Sequence, residues 1–414
     1  MKRFLCFMIA AAALMTAACR KESADDGKVD FLLTVRMPIS VENPVLKSIG
    51  VTFTDVATGG KTDVAEFASA GEGTYTVAAS LLPGSYNVDM SGVIVYTSGG
   101  AEVESYIEAS REGVAVAAGG TTSENSLTVE TTVSTIASDD FVIEEIFFTG
   151  SLTPEGMQYY GDQYIKITNN SDRTLYADGL MIMQSAFLTT DKYDYNPDVM
   201  DEYFSINSSL MIPGSGTDYP VAAGASIVVA ITALDHTQYN ANSIDLSNAD
   251  FEYFNPLDDE DVDNPEVPNV ICSFLEEGDY WTFHNRGFKS YAIGRLGDGV
   301  TAESFAADYY YAPEYELVVP GFGSFPMDTD AWKFPNSWVI DAVNLSIEEQ
   351  FAWIVTDPSL DSGWTYCGKV DGDQTRYGKS VCRIGVALPD GRTVLKDTNN
   401  STADFTPEAV PSLM

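Results

Sequence analysis

Crowded carboxylates are the first feature of this sequence that could do chemistry. Asp258-Asp259-Glu260-Asp261-Val262-Asp263-Asn264 brings like charges together, and a divalent cation would relieve their repulsion. Ca2+ takes six to eight oxygens, so Asp258, Asp259, Asp261 and Asp263 are its candidate ligands. The loop is no EF-hand. Counted from Asp259, the sixth position is Asn264 rather than glycine and the twelfth is Val270 rather than glutamate. A solvated acidic loop is the plainer reading. A second candidate is aromatic. In DYYYAPEY, Asp308 to Tyr315, residues Tyr309, Tyr310 and Tyr311 could form a stacking platform for sugars or a hot spot for a protein. Tyrosines packed into a core or interface would look the same, and that reading is favoured. The two histidines, His236 and His284, have no nucleophile or metal motif around them: Gly-x-Ser-x-Gly, His-Glu-x-x-His and Cys-x-x-Cys are all absent. Glycoside hydrolysis needs only two carboxylates, which discriminates nothing among 61 acids. No catalytic residue is assigned, and the chain is expected not to be an enzyme.

The third candidate is Cys19. Lys2 and Arg3 precede an apolar run from Phe4 to Ala18 that is broken only by Thr16. At 15 residues the run is shorter than the roughly 20 needed to span a bilayer as a helix. Ala17-Ala18-Cys19 resembles the lipobox of bacterial lipoproteins, with Thr16 where leucine is usual. The resemblance implies that residues 1–18 are a signal peptide and that Cys19 is acylated as residue one of the mature chain. The alternative is an ordinary secretory peptide cut after Ala18. Residues 19–28 carry no apolar side chain larger than alanine before Val29 and read as a charged tether. Their charge also resembles the surface-export signals of some Gram-negative lipoproteins.

Composition limits the partners. The chain holds 22 Lys plus Arg against 61 Asp plus Glu, a net charge of -39. Between Lys192 and Arg286 there is no Lys or Arg at all. Such a surface repels nucleic acid and anionic headgroups. With 45% hydrophobic and 12% aromatic residues, the chain can still bury a large core. Cys272, Cys367 and Cys382 allow at most one internal disulfide, whose pairing the sequence leaves open.

These residues need elements to hold them, and the elements read as mostly β. Leu127, Val129 and Val133 alternate with polar neighbours, as do Ile165 and Ile167, the pattern of half-buried strands with one wet face. Pro389-Asp390-Gly391 between apolar runs predicts a terminal hairpin. Ser346-Ile347-Glu348-Glu349 is a capping-box pattern and predicts one short helix. Small and acidic residues from Ser134 to Asp140 mark a boundary between two β-sandwich domains, 29–135 and 141–414. LPGSYNVDMSG, Leu82 to Gly92, resembles the turn-and-strand signature of transthyretin-like and carboxypeptidase-regulatory-like domains, with Tyr86, Val88 and Met90 facing the core. Insertions over about 183–332, including TDKYDYNPDVMDEYF and NPLDDEDVDNPEVPN, are the places where binding is expected.

In the second domain, FVIEEIFFTG followed by DQYIKITNNSDRTLYADGLMI resembles the opening of a lamin-tail-like domain, an immunoglobulin-type sandwich. Lys166 stands where glutamate is usual. WVIDAVNL resembles that domain's central strand, and DTNNSTADFTP its closing turn. Together with HTQYNANSIDLSNADFEYF and LDSGWTY, the stretch Phe141–Pro407 resembles the lipoprotein family called domain of unknown function 4876, found in gut-type Gram-negative bacteria. That resemblance implies a fold and an envelope location, with members near outer-membrane TonB-dependent receptors, and no activity. The expected function is therefore a surface-exposed outer-membrane lipoprotein that binds or scaffolds. One alternative is an accessory that captures a ligand for a TonB-dependent nutrient or iron uptake system. Another, from a different class, is a carboxylate-based hydrolase of glycans.

Overall fold

The structure is a computed structural model that describes residues 27–414, apart from 40, 72, 99–100, 120, 122–123, 135–137, 275–280 and 388–391. Cys19, the expected signal peptide and most of the expected tether lie outside the described residues, as do Pro389, Asp390 and Gly391. The chain forms two compact units, the first ending at Val133 and the second beginning at Ser134. It is mostly β, with few and short helices.

The first unit packs two sheets face to face. One has the order Ala68–Gly71, Thr74–Leu81, Val29–Arg36, Ser126–Glu130; the other Lys61–Val64, Glu42–Asp55, Gly84–Ser98, Ala101–Val116, Thr132–Ser134. Phe31 from the first meets Phe53 from the second edge to face, with ring centroids 5.6 Å apart. Around them Leu33, Val77, Val88 and Ile94 are closed to solvent. Tyr86, Val88 and Met90 all point into this core. The alternating run after Ser126 is split between the sheets. Thr131 donates both its N–H and its hydroxyl to the Arg36 carbonyl, at 3.1 and 2.8 Å, which ends one ladder before Thr132 joins the other.

The second unit also has two main sheets. The first has the order Phe251–Glu252, Ser226–Ala230, Tyr164–Asn169, Phe141–Phe147, Ser380–Arg383, Phe405–Ala409. The second runs Tyr310–Tyr311, Ala331–Pro335, Tyr203–Met211, Met181–Ser185, Ser290–Gly294, Val339–Asn344, and Ile271–Phe274 also pairs with Tyr203–Met211. Between them lies one apolar core built on Ile143, Ile165, Ile167, Ile182, Tyr291, Ile293 and Val343.

The expected wet face is missing here. Phe141–Phe147 and Tyr164–Asn169 are covered on both sides, because the insertions fold back over the outer faces. Ile244, Leu246 and Val267 cover Phe147 and Tyr164. Phe305, on the helix Ala302–Asp308, covers Met181, Met183 and Phe334 on the second sheet. Lys166 looked solvated in the sequence; it is mostly buried and pairs with Glu144 at 2.8 Å.

The helix expected after Ser346 does not form. Ser346 donates its N–H to Thr365 and Glu349 donates its own to Lys369, so long-range bonds take the groups a helix would use. A single turn closes from Gln350 and Phe351 onto Ile347. The helix that does form at Ala302–Asp308 has a reciprocal cap between Thr301 and Ser304. On either side of residues 388–391, Gly385–Ala387 and Thr393–Leu395 pair as antiparallel strands.

A candidate aromatic ligand pocket

Three segments far apart in sequence converge on one cavity of about 270 Å3. The insertion loop after Phe187 brings Tyr193 and Tyr195, the edge strand Tyr310–Tyr311 brings Tyr311, and the segment after Phe351 brings Trp353. Phe187 is nearly buried and forms the floor. Tyr195 stacks on it with ring centroids 3.9 Å apart, and Trp353 lies 6.1 Å beyond Tyr195 at a 27° tilt. Tyr315 braces the loop from outside, 4.5 Å from Tyr193 and 5.3 Å from Tyr195.

Backbone bonds fix this arrangement. Asn196 and Glu314 exchange N–H to carbonyl bonds at 2.9 Å in both directions, and the Trp353 indole donates to the Leu188 carbonyl at 2.9 Å. Polar groups are few: the Ser205 hydroxyl, bonded to the Tyr311 hydroxyl at 2.5 Å, and the exposed Lys192, Asp194 and Asp198. Burial pushes the Tyr311 phenol up to about 12 and raises Tyr195 further, so both hydroxyls stay protonated. An apolar floor with a small number of polar groups at its rim is the ordinary make-up of a small-molecule site.

The three tyrosines singled out in the sequence have separate fates. Tyr309 packs into the core against Phe305 and Trp338, at 5.0 and 5.4 Å. Tyr310 is on the surface and donates to Asp330 at 2.6 Å. Only Tyr311 lines the cavity. Tyr193 and Tyr195 lay in an insertion read as acid- and aromatic-rich, whereas Phe187 and Trp353 gave no signal of their own.

The acidic loop turns inward on its own backbone. Asp258 accepts from the Glu260 N–H, Asp261 from those of Asn255 and Val262, and Asp263 from the Asn269 amide. Among the described residues no three His, Cys, Asp or Glu side chains are grouped to hold a metal ion. Asp258, Asp259, Asp261 and Asp263 therefore do not come together as a Ca2+ cage. Among the described residues, Cys272, Cys367 and Cys382 are not joined in a disulfide.

His236 sits in a buried polar cluster wired against nucleophilic catalysis. Its Nε2 lies 2.9 Å from the Thr232 carbonyl, which can only accept, so Nε2 carries the proton and Nδ1 accepts from Tyr159 at 2.7 Å. Ser151 and Ser243 donate to Asp162 rather than to the imidazole, at 2.5 and 2.6 Å. The remaining Asp162 oxygen, Oδ1, has no protein partner, and burial holds the carboxyl above its ordinary range.

A pH dependence follows from Asp162. The folded state holds this proton more tightly than the unfolded chain, so stability falls as pH rises from about 4 through the raised pKa, by at most about 1.4 kcal/mol per pH unit. Denaturant midpoints measured between pH 4.5 and 7.5 should fall more steeply with rising pH in the unaltered chain than in Asp162→Asn, because the other shifted groups, Asp341, Asp361 and His284 among them, contribute to both. An unchanged slope in Asp162→Asn would assign the dependence elsewhere.

The ribbon Glu314–Val319 with Gly323–Asp328 stands apart from both main sheets. It has no charged residue from Leu317 to Met327, and Phe322 at its tip is 82% exposed. Gly321 and Gly323 supply the positive φ that its turn needs. Because Phe322 packs on nothing, Phe322→Ser should change stability by no more than about 0.5 kcal/mol, read as the urea midpoint. A larger loss would mean that the tip is covered in an assembly.

The motifs most distinctive in the sequence meet at one buried place. Asp361 of LDSGWTY accepts five hydrogen bonds: from the N–H and hydroxyl of Ser401, the N–H of Gly363, and the N–H and amide of Asn344. Asp341 of WVIDAVNL pairs with Arg383 at 2.5 Å, and Asp397 and Asp404 of the closing segment reach the same guanidinium at 3.3 and 3.9 Å. Asp341, Asp361, Arg383 and Asp404 are at most 4% exposed, so they hold strands together rather than touch a solute.

Comparison with known proteins agrees with that architecture. The crystal structure of a DUF4876 family protein from Bacteroides thetaiotaomicron VPI-5482 is similar over 92% of this chain and 96% of its own, with a TM-score of 0.55 at 23% identity. The tip fimbrial protein Mfa3 from Porphyromonas gingivalis, with a C-terminal truncation, aligns over 73% of this chain and 100% of its own, at 10% identity and a TM-score of 0.19. No curated protein matches. The family model begins within the second unit, so the opening strands that resembled a lamin-tail-like domain lie outside the matched span. Residues 222–412 match the model of the family described as Protein of unknown function (DUF4876).

Proposed function

We propose that this is an outer-membrane lipoprotein, anchored through acylated Cys19 and displayed at the cell surface, with a non-catalytic binding role. The observation that carries the binding role is the aromatic-lined cavity, a shaped site with both ring faces and polar groups on a rigid sandwich where an insertion loop, an edge strand and a distant segment meet. The N-terminal sandwich acts as a spacer between the anchor and the binding unit. The acidic surface keeps the protein in solution above the bilayer and selects against nucleic acid.

Capture of a ligand for a neighbouring TonB-dependent receptor fits the same site. A hydrolase has less support. Asp194 and Asp198 lie on one short loop, whereas glycoside cleavage needs two carboxyl groups flanking the bond. The test is growth with radiolabelled palmitate, followed by protease treatment of intact cells. Labelled protein, lost on protease treatment, is the expected result. Unlabelled protein released with the periplasm would end the reading.

A further inference from the structure

We propose that the aromatic cavity binds a neutral, hydroxyl-rich ring, a hexose-type sugar unit laid against Tyr195 and Trp353. The inference rests on the binding role above and names the ligand class. Sugars present a flat C–H face and a rim of hydroxyls. The cavity offers the complement: ring faces held rigid by the 3.9 Å stack on Phe187, a buried hydroxyl from Ser205, and oxygen groups at the rim from Asp194 and Asp198.

Charge removes the main competitors. Two carboxylates against one ammonium at the rim repel an anionic ligand such as a uronate or a phosphate. Cations suit aromatic cages, but the chain seats a cation of its own at the lining, with Lys192 Nζ 5.8 Å from the centre of the Trp353 ring. A peptide added as a strand would need a free strand edge, yet the nearby Asn196 and Glu314 backbones already pair with each other. The cavity's 270 Å3 lies near the low end of ligand pockets, roughly 300–1,000 Å3, which suits one or two rings rather than a long chain.

The experiment is isothermal titration of the chain from Arg20 onward, without lipid. The probes are the methyl glycosides of glucose, galactose and mannose, N-acetylglucosamine, glucuronate and choline. At least one neutral sugar should bind, glucuronate at least tenfold more weakly, and choline not at all. Tyr195→Ala should weaken the neutral sugar at least tenfold. Because Tyr195 is stacked in the fold, the exposed-rim variant Asp194→Asn is run beside it and should weaken binding several-fold with its melting temperature unchanged. Binding of choline or glucuronate in preference to every neutral sugar keeps the cavity as a site and overturns the sugar. Heat from none of the probes overturns the sugar and the cavity's binding role together. Neither result alters the palmitate test, so a failed anchor and a failed ligand are told apart.

Discussion

Replacing Arg383 with Met is expected to remove about 3–5 kcal/mol of stability, the usual cost of breaking a buried pair from one side. Arg383 is sealed from solvent, and its guanidinium is held by more than charge. Its Nη2 reaches Asp341 at 2.5 Å, Nε donates to the Ile143 carbonyl at 2.8 Å, and Nη1 donates to the Lys396 carbonyl at 2.9 Å. It also lies over the Phe405 ring, 4.5 Å from the centroid. These partners come from three strands other than its own and from the closing segment, so one side chain ties together both sheets of the second unit. Methionine keeps much of the volume and strands three carboxylates, with only Lys396 beside Asp404, at 3.4 Å, to balance them. Domains are stable by about 5–15 kcal/mol, so the variant should unfold at a much lower denaturant concentration or fail to accumulate. Arg383→Lys keeps the charge and loses the forked geometry, and it should fall between the two. Adding Asp341→Leu to Arg383→Met should recover part of the loss, because it removes the stranded charge. Urea midpoints for the four proteins decide the matter. A loss below about 1 kcal/mol in Arg383→Met would show that the cluster is dispensable.

The same cluster shows what the sequence could reveal. WVIDAVNL, LDSGWTY and the closing segment stood out as motifs, and they are where Asp341, Asp361 and Asp404 meet their partners. Polar residues forced into a core must be satisfied, and so they leave a recognisable pattern. Strand character was legible at Ser126–Glu130 and Tyr164–Asn169 for the same local reason: side chains alternate across a pleat. The second burial of Phe141–Phe147 and Tyr164–Asn169 was not legible. The covering residues, Ile244, Leu246 and Val267, come from insertions, and Glu144 and Lys166 resemble surface charges until they pair. The misplaced helix has a related cause. Ser346 and Glu349 have the right spacing for a cap, but tertiary bonds to Thr365 and Lys369 take their backbone. The cavity was the least legible part, because Phe187, Tyr195, Tyr311 and Trp353 share no spacing and only the folded chain brings them together.

Cys19→Ser should abolish palmitate incorporation and remove the protein from the outer-membrane fraction. A single acyl chain gives only marginal, reversible binding, with an association constant of about 10^4 M−1, and each buried CH2 is worth about 0.8 kcal/mol. Durable anchoring therefore needs the two or three chains that a lipoprotein cysteine carries. Apart from that thiol, little along the chain would hold it to a bilayer. Among the described residues no helix is long and apolar enough to cross a membrane, and a net charge of -39 repels anionic headgroups. Serine keeps the size and polarity of the position and offers no thiol, so the loss of anchoring should be close to complete while the folded units are unaffected. The exposed ribbon tip is the built-in control. Should Cys19→Ser stay in the outer-membrane fraction without label, and leave it only when Phe322→Ser is added, the apolar tip rather than a lipid holds the protein there, and the anchored reading falls.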